Sequence, residues 1–152
     1  MSLKHLLTLT LALAIVPLAP GKDGAENQPA RNRSVVKFAK KHMGRKVGDG
    51  DCWDFGHQAL LAAGGQHPGR QPLVWGTVVR WPQQAVMPGD IIQTFTKRKA
   101  PAGKHTAIIY RVHDGGEVTL AEQNFNNQLF VTKRKVNLFQ LKEIRELHIY
   151  RP

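Results

Sequence analysis

The stretch His105 to Asn124, HTAIIYRVHDGGEVTLAEQN, reads as two strands joined by a turn, and it organises the rest of the chain. Asp114-Gly115 is a favoured two-residue hairpin turn, and the runs on either side carry the β-branched and aromatic residues that suit a pleated surface. With those two residues at the centre, His113 pairs with Gly116, Ala107 with Glu122 and His105 with Asn124. Directly paired residues share a face, as do residues two apart, so His105, Ala107 and Ile109 group with Leu120, Glu122 and Asn124. The apolar members predict a face that meets a helix. A histidine, a glutamate and an asparagine then converge at the edge of a core, where buried polar groups must satisfy one another. On the hairpin alone, a polar cluster that closes the sheet and a chemical site are equally good readings. The opposite face, with Thr106, Ile108, Tyr110, Thr119, Ala121 and Gln123, offers no comparable set.

What separates the two readings lies upstream, in Gly48 to Gly65, GDGDCWDFGHQALLAAGG. Asp51 suits an N-cap, its carboxylate accepting from the orphan amides of the first turn, and Phe55, Ala59, Leu60 and Ala63 follow at helical spacing. Gly64 and Gly65 stop the helix. Cys52, the single cysteine, therefore falls in the first helical turn, where the positive end of the macrodipole favours thiolate. One cysteine permits no internal disulfide, and the usual fate of a lone cysteine is burial as an inert thiol. Beside the hairpin it completes a set of nucleophile, base and orienting group.

The remaining chain fits one domain: 152 residues, 41% hydrophobic, without repeats. Residues 1–19 have the layout of a secretory signal peptide, with Lys4 ahead of an apolar run from Leu6 to Val16. That run is about a dozen residues, short of the roughly 20 a spanning helix needs, so no stable membrane anchor is expected after cleavage. Cleavage leaves an exported protein, periplasmic or extracellular. Residues 20–33 read as a flexible lead-in, and the domain is expected over 34–152. Ser34 can cap a helix with Val35, Phe38, Ala39 and His42 on one stripe, ended by Gly44. Trp75 and Trp81 sit in loops; each is a candidate wall of a substrate groove or a piece of core under the loops, the core reading being stronger for Trp75. Strands follow from Ile91 onward. Helices first and antiparallel strands after give an α+β layout with helices on one side of a sheet.

The formal charge is +11, lowered by one if Lys4 leaves with the leader. A basic protein favours anionic partners, and export points to an envelope polymer rather than nucleic acid. The clusters Lys97-Arg98-Lys99 and Lys133-Arg134-Lys135 lack interleaved aromatics and read as solvated charge with a surface-binding role. His57 reads as a surface residue. The histidines show no metal-ligand spacing, and no metal or cofactor is expected.

The order Cys52 at a helix start, Gly89-Asp90-Ile91 opening a strand, His105 at the start of the next, and Glu122-x-Asn124 ending its partner resembles the CHAP domains of the NlpC/P60-like, papain-fold cysteine peptidases and amidases. The resemblance covers roughly Ser34 to Asn124. It implies a papain-like α+β fold, N-terminal helices on an antiparallel sheet, and a hydrolase that cuts amide bonds in peptidoglycan. It further implies Cys52 as nucleophile, His105 as general base and then acid, Glu122 or Asn124 as the group orienting the imidazole, and the Cys52 backbone amide as an oxyanion donor. Peptidoglycan or another anionic envelope polymer is then the partner, with an inhibitor protein as a further candidate. Asp49, Asp51 and Asp54 depart from the pattern, since each opposes a thiolate. The competing reading is a binding module of the same fold, its basic groove holding an envelope polymer or a protein and its cysteine incidental.

Overall fold

The computed structural model describes residues 28–69, 74–97 and 103–152; the expected leader, the expected lead-in up to residue 27 and most of the loop holding Arg98 and Lys99 lie outside the described residues. Helix α1 spans Ala30–His42 and so begins ahead of Ser34, inside the stretch expected as lead-in. Asn32 accounts for the difference: fully buried, it donates from Nδ2 to the Pro88 carbonyl at 3.0 Å and to Asp90 Oδ1 at 2.9 Å. A tertiary bond of this kind draws in a first turn that local pattern does not call for. Lys40, Lys41 and His42 in the last turn complement the helix dipole.

Helix α2 spans Cys52–Ala62. Asp51 is its N-cap residue by backbone but makes no capping hydrogen bond with its side chain, contrary to expectation. Gly64, at φ 72°, ends the helix in the left-handed region, and the Gly65 amide returns to the Leu60 carbonyl at 2.9 Å.

Among the described residues six strands follow: β1 (Thr77–Val78), β2 (Ile91–Thr96), β3 (Lys104–Val112), β4 (Glu117–Glu122), β5 (Thr132–Asn137) and β6 (Ile144–Arg151). They form one antiparallel sheet in the order β1-β6-β2-β3-β4-β5. The architecture is the expected papain-like α+β fold, two N-terminal helices on an antiparallel sheet; only β1 arises from a stretch that reads as loop.

The two faces of the sheet bury separate cores. Ile91, Ile108, Ala121 and Tyr150 pack under the helices against Val35, Ala39, Phe55, Leu60 and Trp75. Ile92, Ala107, Ile109, Leu120 and Ile149 face the other way, under Val79, Val86 and Leu138. The face of His105 and Glu122 is therefore the one without helices, the reverse of the expectation. Both faces are apolar, so alternation along the strand defines two sides without saying which one the helices cover.

The hairpin register carries a second difference. Ala107 lies opposite Glu122 and Ile109 opposite Leu120, as expected, but a bulge between Ile109 and Arg111 shifts the rest, and Arg111 faces Thr119. The turn is correspondingly longer, a 3₁₀ turn over Asp114–Gly116 with the His113 amide bonded to the Glu117 carbonyl at 2.8 Å. One residue added by the bulge cancels one added by the turn. The register at the site end is consequently that of the simple hairpin.

Candidate active site

The end of β4 and the residue just past it deliver two adjacent side chains to opposite faces, and both serve the same end of the sheet. On the helix side Gln123 is fully buried. Its Oε1 accepts from the Val47 amide at 2.8 Å, and its Nε2 donates to the Val47 and Asp51 carbonyls at 2.9 and 2.8 Å. The loop leading into α2 is thus pinned to the sheet, and with it the position of Cys52. From the first turn of α2, Asp54 reaches back to that loop and accepts from the Asp49 amide at 2.8 Å.

On the other face Glu122, its side chain 1% exposed, accepts from three directions. His105 Nε2 lies 2.9 Å from Oε2, Arg134 NH2 donates to Oε2 at 2.9 Å, and Arg134 Nε donates to Oε1 at 2.5 Å. Burial alone raises the carboxyl, but the bonds from His105 and Arg134 and the Arg134 charge outweigh it and hold the group below the ordinary glutamate value. An ionised Glu122 can only accept, so the neutral His105 tautomer carries its proton on Nε2 and leaves Nδ1 as a free base.

Cys52 and His105 come from opposite sides of the sheet, and at its end both line a cavity of ≈ 700 Å³ with Thr106, Asn124, Asn126 and Asn127. Cys52 as a residue is 9% exposed. Desolvation pushes it up to about 12; the backbone amides of Thr106 and Trp53 pull it down, while Asp51 raises it further. Of the three acids expected to oppose a thiolate, Asp51 is the one that does so. Among the described residues the hydrogen bonds of His105 do not include one to Cys52, and its raised pKa keeps the cysteine a neutral thiol.

Of the two orienting groups expected for the imidazole, Glu122 holds it. Asn124 sits just beyond β4 at φ 60°, exposed, its amide bonded to the Gln128 carbonyl at 2.7 Å. With Asn126 (φ 52°) and Asn127 (φ 61°) it forms a loop of left-handed asparagines on the cavity wall, a conformation that Asn tolerates better than most side chains. Of the two readings of the tryptophans, groove wall or core under the loops, the core reading, the stronger one for Trp75, is the one that holds. Trp75 is fully buried between α2 and the sheet, and Trp81 packs on Phe139 at 4.9 Å under the far face; neither lines the cavity holding Cys52.

Two further corrections concern charge. Arg134 is not solvated as a member of a basic cluster: β5 alternates, so Lys133 reaches over the Tyr110 ring and Lys135 pairs with Glu117, while Arg134, opposite Leu120, turns to the face of Glu122. Reading residues 129–138 as an alternating strand, instead of 133–135 as a triplet, is the signal that finds it. His57 is half-buried, stacked on Trp53 at 4.4 Å and edge-on to His67 at 4.6 Å, with Nε2 buried and unpartnered. Among the described residues no three metal-ligating side chains cluster.

Against known proteins, residues 30–152 match the family described as the AIM3/BBC1 cysteine proteinase-fold domain. This chain belongs to that family. Altered inheritance of mitochondria protein 3 from Debaryomyces hansenii is 27% identical over 143 residues, which covers 77% of this chain and 15% of that protein. The chain thus spans about a seventh of its curated relative. Among solved structures, Ly7917 superposes with a TM-score of 0.54 at 17% identity, over 78% of this chain and 62% of that one. Ly7917 with the hydrolyzing product of MDP superposes at 0.58 with 19% identity, over 80% and 63%. At such identities the likeness is one of fold, and the cysteine proteinase fold agrees with the family match.

Proposed function

We propose that this domain is a cysteine hydrolase of amide bonds, with Cys52 as nucleophile, His105 as base and then acid, and Glu122 as the group that orients the imidazole. One observation carries the reading: His105 gives Nε2 to a buried carboxylate and lines the same cavity as a helix-start cysteine, so that Nδ1 is the ring nitrogen left to act as base. In the reaction Nδ1 takes the thiol proton and the sulfur attacks the carbonyl carbon. The negative oxygen is met by the Cys52 backbone N–H, which has no intrahelical acceptor at that position. The C–N bond then breaks, Nδ1 protonates the departing amine, and water attacks the thioester to release the acid and restore the thiol.

The substrate we propose is a peptide or muramyl-peptide amide within an anionic polymer. Its supports are the +11 charge, the resemblance to peptidoglycan amidases and the fold shared with Ly7917, whose crystal holds the hydrolyzing product of MDP. Export by residues 1–19 belongs to the same proposal; N-terminal sequencing of protein recovered from the medium should start shortly after Ala12, Ala14 or Ala19.

A second reading, the non-catalytic binding module, is favoured by the thiol itself, which burial and Asp51 hold neutral. Iodoacetamide separates the two. A hydrolase gives a Cys52 alkylation rate at neutral pH that drops at least about tenfold in His105→Ala, because substrate-sized reagents meet a thiol whose proton the imidazole accepts. A slow rate that rises only above the ordinary thiol range, equal in both proteins, removes the hydrolase and leaves the module. Incubation with MDP and with purified peptidoglycan then tests the substrate; intact polymer beside a His105-dependent thiol would leave an amide hydrolase of another peptide.

A further inference from the structure

Glu122, His105, Arg134 and Phe125 form a closed ring of contacts. Arg134 reaches both oxygens of Glu122 through two nitrogens, the planar fork that fits a carboxylate. The back of the guanidinium lies on Phe125, its central carbon 3.8 Å from the ring centroid, and Phe125 meets the His105 ring edge-on at 5.7 Å. Each member therefore limits the rotation of the next. Without Arg134, Oε1 has no other hydrogen-bond partner among the described residues, and the carboxylate can turn or take up a proton.

We propose that Arg134 is a positioning residue of this site: forked onto Glu122 and laid on Phe125, it fixes the carboxylate on Nε2–H of His105, so that Nδ1 is left as the base beside Cys52. Its value for the reaction rests on the hydrolase reading, but its effect on the imidazole does not. A protonated or rotated Glu122 no longer selects the tautomer, and an imidazole with its proton on Nδ1 has no lone pair to offer the thiol. An arginine that serves stability alone would lower the melting temperature and leave the tautomer where it was.

The test is ¹⁵N NMR of the His105 ring in the full chain, at about pH 8.5 where imidazole is neutral. The wild-type protein should show the Nε2–H form. In Arg134→Gln, which keeps a polar side chain and removes the charge and the fork, the ratio of Nε2–H to Nδ1–H should fall at least about threefold. Phe125→Leu removes only the shelf and all ion-pair atoms stay; the ratio should fall in the same direction by a smaller factor. An unchanged ratio in folded Arg134→Gln overturns the proposal, and if that variant does not fold, an unchanged ratio in Phe125→Leu does so. Because neither spectrum involves Cys52, a thiol that ignores His105 would defeat the hydrolase reading and still leave this measurement decisive.

Discussion

Gln123 shows how much one side chain can hold. Replacing it with Ala leaves the buried Val47 amide and carbonyl without their present partner, each worth about 1–3 kcal/mol when unsatisfied, and also frees the part-buried Asp51 carbonyl. Urea unfolding of Gln123→Ala should show a loss of at least about 2 kcal/mol. The same variant should expose Cys52 to thiol reagents faster than wild type, since the loop before α2 is released. His57 makes a prediction in pH. Burial first, and then His67, lower it from its ordinary 6.5, against the pull of Asp54. The folded state therefore resists protonation more than the unfolded state does. Stability should be flat above 6.5 and decline as pH falls below it, and His57→Leu should flatten that decline in thermal melts taken between pH 5 and 8. Residues of this kind are poorly legible in a sequence: Gln123 falls on a face that reads as chemically empty, and His57 points away from Cys52 on the helix yet finds an aromatic pocket built by Trp53 and His67.

Among the elements, α2 and β3 set the distance between Cys52 and His105, and Gly56 is a point of close approach between them. A Cβ there would stand 2.8 Å from Thr106 Cγ2 and 3.3 Å from the Trp75 ring. Alanine gains about 1 kcal/mol of helix propensity over glycine, while overpacking of a tight core costs about 1–3 kcal/mol and shifts backbone. Gly56→Ala should be net destabilising in denaturant melts, by up to about 2 kcal/mol, and should slow any His105-dependent alkylation by displacing the helix start. The elements themselves were largely readable. Apolar spacing located α2 and the strands, and turn chemistry placed the hairpin. The start of α1 and the face that α1 and α2 cover were not readable, because each is decided by a partner distant in sequence: Asp90 for Asn32, the second core for the sheet.

For the molecule as a whole, Asp90 joins what the chain order separates. Its buried carboxylate accepts from Asn32 on α1, from the Met87 amide ahead of β2, and from Arg151 at the end of β6 through Nε at 3.0 Å and NH2 at 2.9 Å. Asp90→Ala strands a mostly buried guanidinium and an amide together, and removing one partner of such a pair costs about 3–5 kcal/mol. Equilibrium unfolding should register that loss, and truncation of Arg151 and Pro152 should reproduce most of it. The bulge near Tyr110 and the lengthened turn at Asp114–Gly116 bear on how such a domain can change over evolutionary time. Deleting one residue from either would slide β3 against β4 by a single position and send the imidazole and the carboxylate to opposite sides, whereas deleting one from each restores the alignment. Length variants in this hairpin should therefore survive in pairs.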